Sequence, residues 1–235
     1  MKRLLILSLL ALAFGPLSSI AAEVQGVTTE MQLRAMPAKG VELRPETEEL
    51  AKLVRATRWA QAEEKAAAIR RAFEAMFDPS LKQYVFQSPV EFGEFSKTTD
   101  VKFEWIDWGY KECLQFQAFL AVEKKDFAAA MALLKSIEAV APVSAGTAAE
   151  TGYVLGRLGR AEEGLAEYRH AFELSQRYES QRPYQGASLR GMGSALIDLQ
   201  RWDDAERMFK QSLEFEPGNK VALNELSYIE QQRSK

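Results

Sequence analysis

Cysteine and histidine are nearly absent from this sequence, which contains one of each in 235 residues. Cys113 has no second cysteine with which to form an intramolecular disulfide, and His170 has no second histidine beside which to bind a metal. Disulfide frameworks, structural zinc sites and paired-histidine sites all need more of these residues. The composition excludes those classes of chemistry, and we predict no metal site, no cofactor and no catalytic residue.

Basic residues are also fewer than acidic residues. The chain has 30 Lys and Arg residues against 33 Asp and Glu residues, and a formal net charge of −3. A net acidic chain is a poor binder of nucleic acid, and the sequence contains no polybasic run that would bind an anionic membrane surface. With 47% apolar residues the chain can form a globular core. We therefore expect the partner to be a protein or a peptide.

The first 22 residues have the pattern of a secretory signal peptide. Lys2 and Arg3 precede the apolar run 4–14, and the small residues of 18–22 supply a cleavage site after Ala22. The run is shorter than the roughly 20 residues of a membrane-spanning helix. No cysteine lies near the cleavage site, so the sequence does not support a lipid anchor. It predicts a cleaved signal, no membrane span in the mature chain, and a periplasmic or secreted protein.

The next two segments differ in pattern. Residues 23–44 contain Gly26 and Pro37 and few paired apolar positions, which predicts an extended or poorly ordered lead-in. From Pro45 onward apolar residues recur every three or four positions. This spacing predicts one long helix, or two helices, ending at Asp78-Pro79.

Residues 79–110 carry two further signals. Ser88, Pro89 and Glu91 have the form of a capping box with proline in the first turn, which predicts a short helix from Pro89 to about Lys97. The alternation of Val101, Phe103 and Trp105 indicates a brief strand. Residues 45–110 are thus an N-terminal segment that is mainly helical.

From Lys111 onward the sequence repeats itself with a period of about 34 residues. Each repeat has one small residue in its first half and one in its second half, and the three pairs are Ala118/Ala130, Gly152/Gly164 and Gly193/Ala205. Small side chains let two helices approach closely, so each repeat is predicted to be a helical hairpin. A larger residue of each second helix fills the remaining gap: Leu134, Tyr168 and Phe209.

This pattern resembles the tetratricopeptide repeat (TPR) family. The units are 111–144, 145–178 and 186–219, and residues 220–235 have the apolar spacing of a C-terminal capping helix. The resemblance implies an all-α fold, a TPR-type solenoid of about three hairpins and a capping helix, with the N-terminal helical segment packed on it. Gln176 replaces the proline that stops the other second helices, which predicts a longer second helix in the middle unit.

In this family the first helices line a concave groove, and the resemblance implies that an extended peptide or a partner helix binds there. Aromatic and guanidinium side chains dominate binding hot spots, and a peptide with a carboxylate and an apolar side chain would suit such a groove. Counting along the first helices gives these candidate groove residues: Gln115, Phe116, Phe119, Glu150, Tyr153, Arg157, Arg190, Ser194, Asp198, Asn224 and Tyr228. In an alternative interpretation, Phe116 and Phe119 pack against the N-terminal helices and are not part of the groove.

Two other functional hypotheses stay open beside an exported scaffold or adaptor. An envelope enzyme, or a subunit that regulates one, could have a site in 79–110, where Asp100, Glu104 and Asp107 are available. Alternatively, the chain could self-associate through the solenoid edge or Cys113. The acidic pairs Glu162-Glu163 and Asp203-Asp204 fall in the first turn of second helices, where negative charge offsets the helix dipole, so we interpret them as structural.

Overall fold

The computed structural model describes residues 38–234, so the predicted signal peptide and residues 23–37 of the predicted lead-in 23–44 lie outside the described residues. Within that span the chain forms ten α-helices and two short strands. In chain order they are α1 (Arg44–Arg55), α2 (Trp59–Glu74), β1 (Lys82–Val85), α3 (Pro89–Ser96), β2 (Phe103–Ile106), α4 (Gly109–Glu123), α5 (Phe127–Val140), α6 (Ala145–Arg157), α7 (Ala161–Arg177), α8 (Gln185–Asp198), α9 (Trp202–Phe215) and α10 (Lys220–Arg233). The prediction of an all-α solenoid of helical hairpins with a capping helix is confirmed.

Four hairpin turns in the described chain have the same backbone geometry. In each, one residue has a positive φ between 55° and 75°: Thr57, Lys125, Gly159 and Gln200. Its amide donates three residues back and the next amide donates five residues back, as in Gly159 N to Gly156 O at 3.1 Å and Arg160 N to Leu155 O at 2.9 Å. This pair of bonds is a Schellman motif, which satisfies carbonyls at the end of the first helix.

One of these turns joins α1 to α2, in the segment that precedes the predicted repeats. Of the two sequence predictions, two helices rather than one long helix are present, and they separate at residues 56–58. Helix α2 packs on α4 as the second helix of one hairpin packs on the first helix of the next. Residues 44–74 thus extend the hairpin array by one unit toward the N-terminus.

Small residues bring the two helices of a hairpin into contact, as the repeat pattern predicts. A Cβ added at Gly164 would lie 2.8 Å from the carbonyl oxygen of Gly152, so backbone meets backbone at this crossing. The large residues that were expected to fill the gap, Leu134, Tyr168 and Phe209, are buried at 1%, 5% and 1% exposure. Close packing of this kind holds the two helices of a hairpin together.

The segment between α2 and α4 is an insertion that contains a two-stranded parallel sheet and α3. Strand β1 pairs with β2 in the register Lys82↔Phe103 to Val85↔Ile106. The sequence predicted β2 but not β1. Helix α3 confirms the capping prediction, since Ser88 Oγ accepts from Glu91 N at 3.2 Å. The chain before α1 joins the other edge of β2, where Lys39 N donates to Trp105 O at 2.8 Å.

The middle hairpin also departs from a simple repeat, in the way that Gln176 predicts. Helix α7 has 17 residues, against 14 in each of α5 and α9. A 3₁₀ turn, Glu179–Tyr184, follows it and leads into α8. None of the helices in residues 38–234 is long and apolar enough to span a bilayer.

Candidate functional site

The first helices of the hairpins form one layer, in which α6 contacts α8 and α8 contacts α10. We call the surface of α4, α6, α8 and α10 that carries Tyr153 the inner face. Equivalent positions of the repeats come together here, because each hairpin is stacked on the next in the same register.

Tyr153 lies at the centre of the inner face, half-buried and packed against both of the main hydrophobic cores. Burial raises the pKa of its hydroxyl; the Arg157 guanidinium opposes that shift and the Glu123 carboxylate adds to it. Burial raises the pKa of the Tyr168 hydroxyl, and the charges of Tyr153 and Asp198 raise it further, so both groups lie near that hydroxyl. Charged groups of two successive hairpins, Glu123 and Arg157, thus lie near the hydroxyl of Tyr153, and Asp198 of the third hairpin lies near that of Tyr168.

Arg157 is exposed, although its guanidinium has an aromatic neighbour. Its Cζ lies 5.4 Å from the ring centroid of Phe127, the first residue of α5. An aromatic ring attracts a cation above its face, and the cation is not neutralised as it would be by a carboxylate in an ion pair. Arg157 therefore presents an oriented cation beside Tyr153.

The floor of the inner face is acidic on the α4 and α6 side. Burial raises the pKa of Glu150 to about 7, although the hydrogen bond from Gln115 and the charge of Lys111 both oppose this shift. Gln115 Nε2 donates to Glu150 Oε1 at 2.9 Å. Burial also raises the pKa of Glu112, again against the charge of Lys111. Two carboxyl groups whose pKa values are raised by burial thus lie close together, with Lys111 beside both.

Three of the candidate groove residues need correction or qualification. Phe116 has no exposed surface, so it is a core residue and not part of a groove. Phe119 is half-buried and packs against Trp59 of α2, with ring centroids 5.7 Å apart. Both rings therefore follow the alternative interpretation, in which they pack on the N-terminal helices. The physical reason is the α1–α2 hairpin, which covers this part of α4.

Arg190 is also less available than expected. It is 9% exposed, and its Nη1 lies 3.0 Å from Glu216 Oε1. The two groups form an ion pair, although their geometry is not that of a hydrogen bond. Ser194 is half-buried, and Asn224 is exposed on α10. Tyr228, also on α10, packs against Trp202, with ring centroids 6.3 Å apart. Of the two arginines expected to bind a ligand, Arg157 is exposed and Arg190 is buried.

Glu112 and Glu123 belong to the inner face and were missed by sequence reasoning. Glu123 stands 34 residues before Arg157 and so occupies the equivalent position of the preceding unit. Counting every unit at this position would have found it. Glu112 could not be assigned in this way, because its equivalent in the next unit is Gly146, which faces the ring of Tyr184.

The carboxylates of the enzyme alternative have separate structural surroundings. Glu104 pairs with Lys39 and accepts from Asp78 N at 3.0 Å. Asp107 is buried, pairs with Arg44, and has a pKa that burial raises. Asp100 is exposed on the loop before β2. Within residues 38–234, no group of three or more His, Cys, Asp or Glu side chains is arranged to hold a metal ion.

The other residues considered for chemistry are one cysteine, one acidic pair and one histidine. Cys113 is fully buried and its Sγ donates to Tyr110 O at 2.9 Å, while burial raises the pKa of the thiol to about 12. This thiol is not presented to another molecule in the folded chain. Glu163 pairs with Arg160, which lowers the pKa of that carboxyl. His170 lies exposed on α7.

Comparison with known protein families gives a match to part of the hairpin array. Residues 145–215, which span α6 to α9, match the tetratricopeptide repeat family. This match agrees with the hairpin geometry, so this part of the chain has the TPR-type fold that its repeats predict. No curated protein matches the chain.

Several solved structures of TPR domains are similar to part of the chain. The first TPR of Spaghetti (RPAP3) bound to the HSP90 peptide SRMEEVD is 19% identical, with a TM-score of 0.47 over 53% of this chain and 94% of that one. The first TPR domain of human RPAP3 is 19% identical, with a TM-score of 0.48 over 53% and 92%. The Arabidopsis OM64 TPR domain is 16% identical, with a TM-score of 0.47 over 52% and 95%.

Proposed function

We propose that this protein is an exported interaction scaffold that binds a peptide or a partner helix against its inner face. The observation that carries the proposal is the position of Tyr153, an aromatic ring packed against both cores, with the charged groups of Arg157 and Glu123 near its hydroxyl. A rigid aromatic anchor beside charged groups is typical of protein-binding hot spots. Export rests on the signal-peptide pattern of the first 22 residues.

The charges of the inner face define the partner more closely. The exposed carboxylates of Glu123 and Asp198 lie on this face, and so do the carboxyl groups of Glu112 and Glu150 with Lys111 beside them, whereas Arg157 is an exposed cation and Arg190 is paired with Glu216. This balance differs from the expectation of a partner that offers a carboxylate. A segment with an apolar side chain for Tyr153 and a lysine or arginine for the neighbouring carboxylates complements the surface better.

The test uses a charge swap at two exposed positions, Arg157→Glu with Asp198→Lys, which leaves the net charge unchanged. The matched control is Arg169→Glu with Glu173→Lys, a swap of two exposed residues on α7, in the outer layer. Arg190 is not used, because replacing a buried ion-paired residue would disturb folding. Circular dichroism and thermal melting establish that both variants are folded.

Each protein is then used to capture partners from an envelope extract of the source organism. We expect proteins that bind the wild-type chain and the control to be lost with the Arg157/Asp198 variant. If the swap on the inner face retains the same proteins as wild type, the proposed binding surface is wrong. If the control loses them equally, the binding depends on overall charge pattern and the proposal also fails.

A further inference from the structure

A second concave surface lies where the two interruptions of the repeat array meet. It is a cleft of about 960 Å³ between α3 and the segment 179–186, closed on its third side by the end of α9. We call it the edge cleft. Its walls include Val90 and Glu94 of α3, Glu179 and Pro183 of the 3₁₀ turn, Phe215 at the end of α9 and Glu216 directly after it.

The two walls of the edge cleft are locked to each other by one buried carboxylate. Glu91 is 2% exposed, and its Oε1 accepts from Ser180 Oγ and from Gln181 Nε2, each at 2.8 Å. Its Oε2 accepts from Gln87 N at 2.5 Å. Because α3 and the 3₁₀ turn are held by these bonds, the cleft is already formed before anything binds, which lowers the entropy lost on binding.

Two exposed apolar side chains line this cleft. Val90 is 58% exposed and Phe215 is 47% exposed. Isolated apolar residues on a surface need no explanation, but two of them within one concave site, surrounded by polar side chains, are typical of an interaction surface. The cleft thus brings Val90 of the insertion and Phe215 at the end of α9 into one concave site.

The charge of the edge cleft indicates what it binds. Its lining contains four carboxylates, Glu91, Glu94, Glu179 and Glu216, and one arginine, Arg182. Arg182 pairs with Glu179 at 3.0 Å, and Arg190 pairs with Glu216 from outside the lining. Carboxylates outnumber guanidinium groups even when Arg190 is included.

We propose that the edge cleft is a second binding site, which takes a short partner segment in which an apolar side chain stands next to a lysine or arginine. The apolar side chain contacts Val90 and Phe215, and the basic group is attracted to Glu94 at the rim, because Glu179 and Glu216 already pair with arginines. Electrostatic complementarity of this kind selects among partners and orients them. The site is separate from the inner face, so it can operate whether or not the inner face binds a partner.

The experiment uses a random peptide library displayed on phage and selected on the full-length chain. We expect the selected peptides to combine lysine or arginine with leucine, phenylalanine or another large apolar residue. The best peptide is then synthesised with a fluorescent label, and its affinity is measured by anisotropy. The cleft variants are Glu94→Lys with Glu179→Lys, and separately Val90→Ser; all three residues are exposed, so these variants should fold.

The matched control is Glu162→Lys with Glu173→Lys, which changes the net charge equally at exposed positions of α7 outside the cleft. We expect each cleft variant to bind about tenfold more weakly, and the control to bind as wild type. The proposal is overturned if the library yields no binder, if the selected peptides lack basic residues, or if the control weakens binding as much. Loss of binding in the Arg157/Asp198 variant with retention in the cleft variants assigns the peptide to the inner face, which supports the proposed function and overturns the edge cleft.

Discussion

The repeat hairpins of residues 145–215 and the inserted segment of residues 75–108 are held together by different kinds of contact. In the hairpins, backbone approaches backbone, as at Gly152 and Gly164. In the insertion, aromatic rings fill the space between the sheet and α3. The ring of Phe86 contacts five other rings, with centroids between 5.3 and 6.4 Å from its own. Those five neighbours are Tyr84, Phe92, Phe95, Phe103 and Trp105.

This difference explains where each proposed surface arises. Close backbone packing repeats from hairpin to hairpin, so it produces an inner face on which equivalent positions line up. The aromatic insertion has no repeat, and its contact with the middle hairpin depends on single residues such as Glu91 and Gln181. The regular part of the molecule therefore provides an extended surface, and the irregular part provides a single localised cleft.

The largest effect is expected from removing the centre of the aromatic cluster. Phe86 is 1% exposed, so Phe86→Ala should lower the free energy of unfolding by about 4 kcal/mol. Urea denaturation followed by circular dichroism measures this change, with Val101→Ala, at a 47% exposed position, as the control. Hydrogen exchange then shows whether protection is lost only in 75–108 and 178–184 or also in the hairpins. A loss below about 1 kcal/mol would mean that the insertion has no essential core.

A smaller but still large effect is expected at the closest helix crossing. Even the Cβ of a new side chain at Gly164 would lie 2.8 Å from the carbonyl oxygen of Gly152, and backbone cannot move aside as a side chain can. We expect Gly164→Val to lose about 3 kcal/mol in the free energy of unfolding. Unlike Phe86→Ala, this variant should reduce hydrogen-exchange protection first in α6 and α7. Unchanged stability would show that the hairpin tolerates a wider separation than its geometry implies.

The two regions also differ in how they treat a buried carboxyl group. Glu91 accepts three hydrogen bonds in the insertion, whereas Glu150 accepts one, from Gln115. Burial raises the pKa of Glu150 to about 7, so the folded state binds a proton that the unfolded state releases above a pH of about 4.5. Ionisation of Glu150 therefore lowers the free energy of unfolding progressively between about pH 4.5 and about pH 7, and the loss levels off above that range.

The corresponding variant is Glu150→Gln, which keeps the acceptor for Gln115 and removes the charge. Relative to wild type, we expect it to be more stable by about 2 kcal/mol at pH 8 and nearly equal at pH 5. Urea denaturation at both pH values measures this, and Glu162→Gln, at an exposed position, is the control. A stability difference that does not change with pH would show that Glu150 ionises normally in the folded chain.

The contrast between the two regions also decides what could be predicted from the sequence. The hairpins were predictable because Gly152 and Gly164 stand twelve residues apart, as do Ala118 and Ala130, and this local spacing determines the contact. The α1–α2 hairpin uses the same turn but has Leu50 twelve residues before Ala62, so a rule based on small residues misses it. For the same reason the burial of Phe116 could not be decided, because it depends on that hairpin.

The edge cleft and the true state of Arg190 depend on contacts between residues far apart in sequence. Glu91 and Gln181 are separated by 90 residues, and neither belongs to the repeating pattern. Strand β1 is only four residues long and pairs with a strand about twenty residues later, so no local alternation marks it. Arg190 resembles a groove residue by register, and only the fold shows that Glu216 neutralises it.

The smallest effect on the free energy of unfolding is expected at Gly156. This position also best separates the role of packing from that of backbone conformation. A Cβ added there meets no atom within 4 Å, unlike one at Gly164, although both glycines lie in the same hairpin. Gly156→Ala should therefore stabilise the protein by about 0.5 kcal/mol, because alanine loses less conformational entropy than glycine when a helix forms. The measurement is the same urea denaturation used for Gly164→Val. If Gly156→Ala is as damaging as Gly164→Val, then glycine is needed throughout α6 for its flexibility, and close packing does not explain the hairpin.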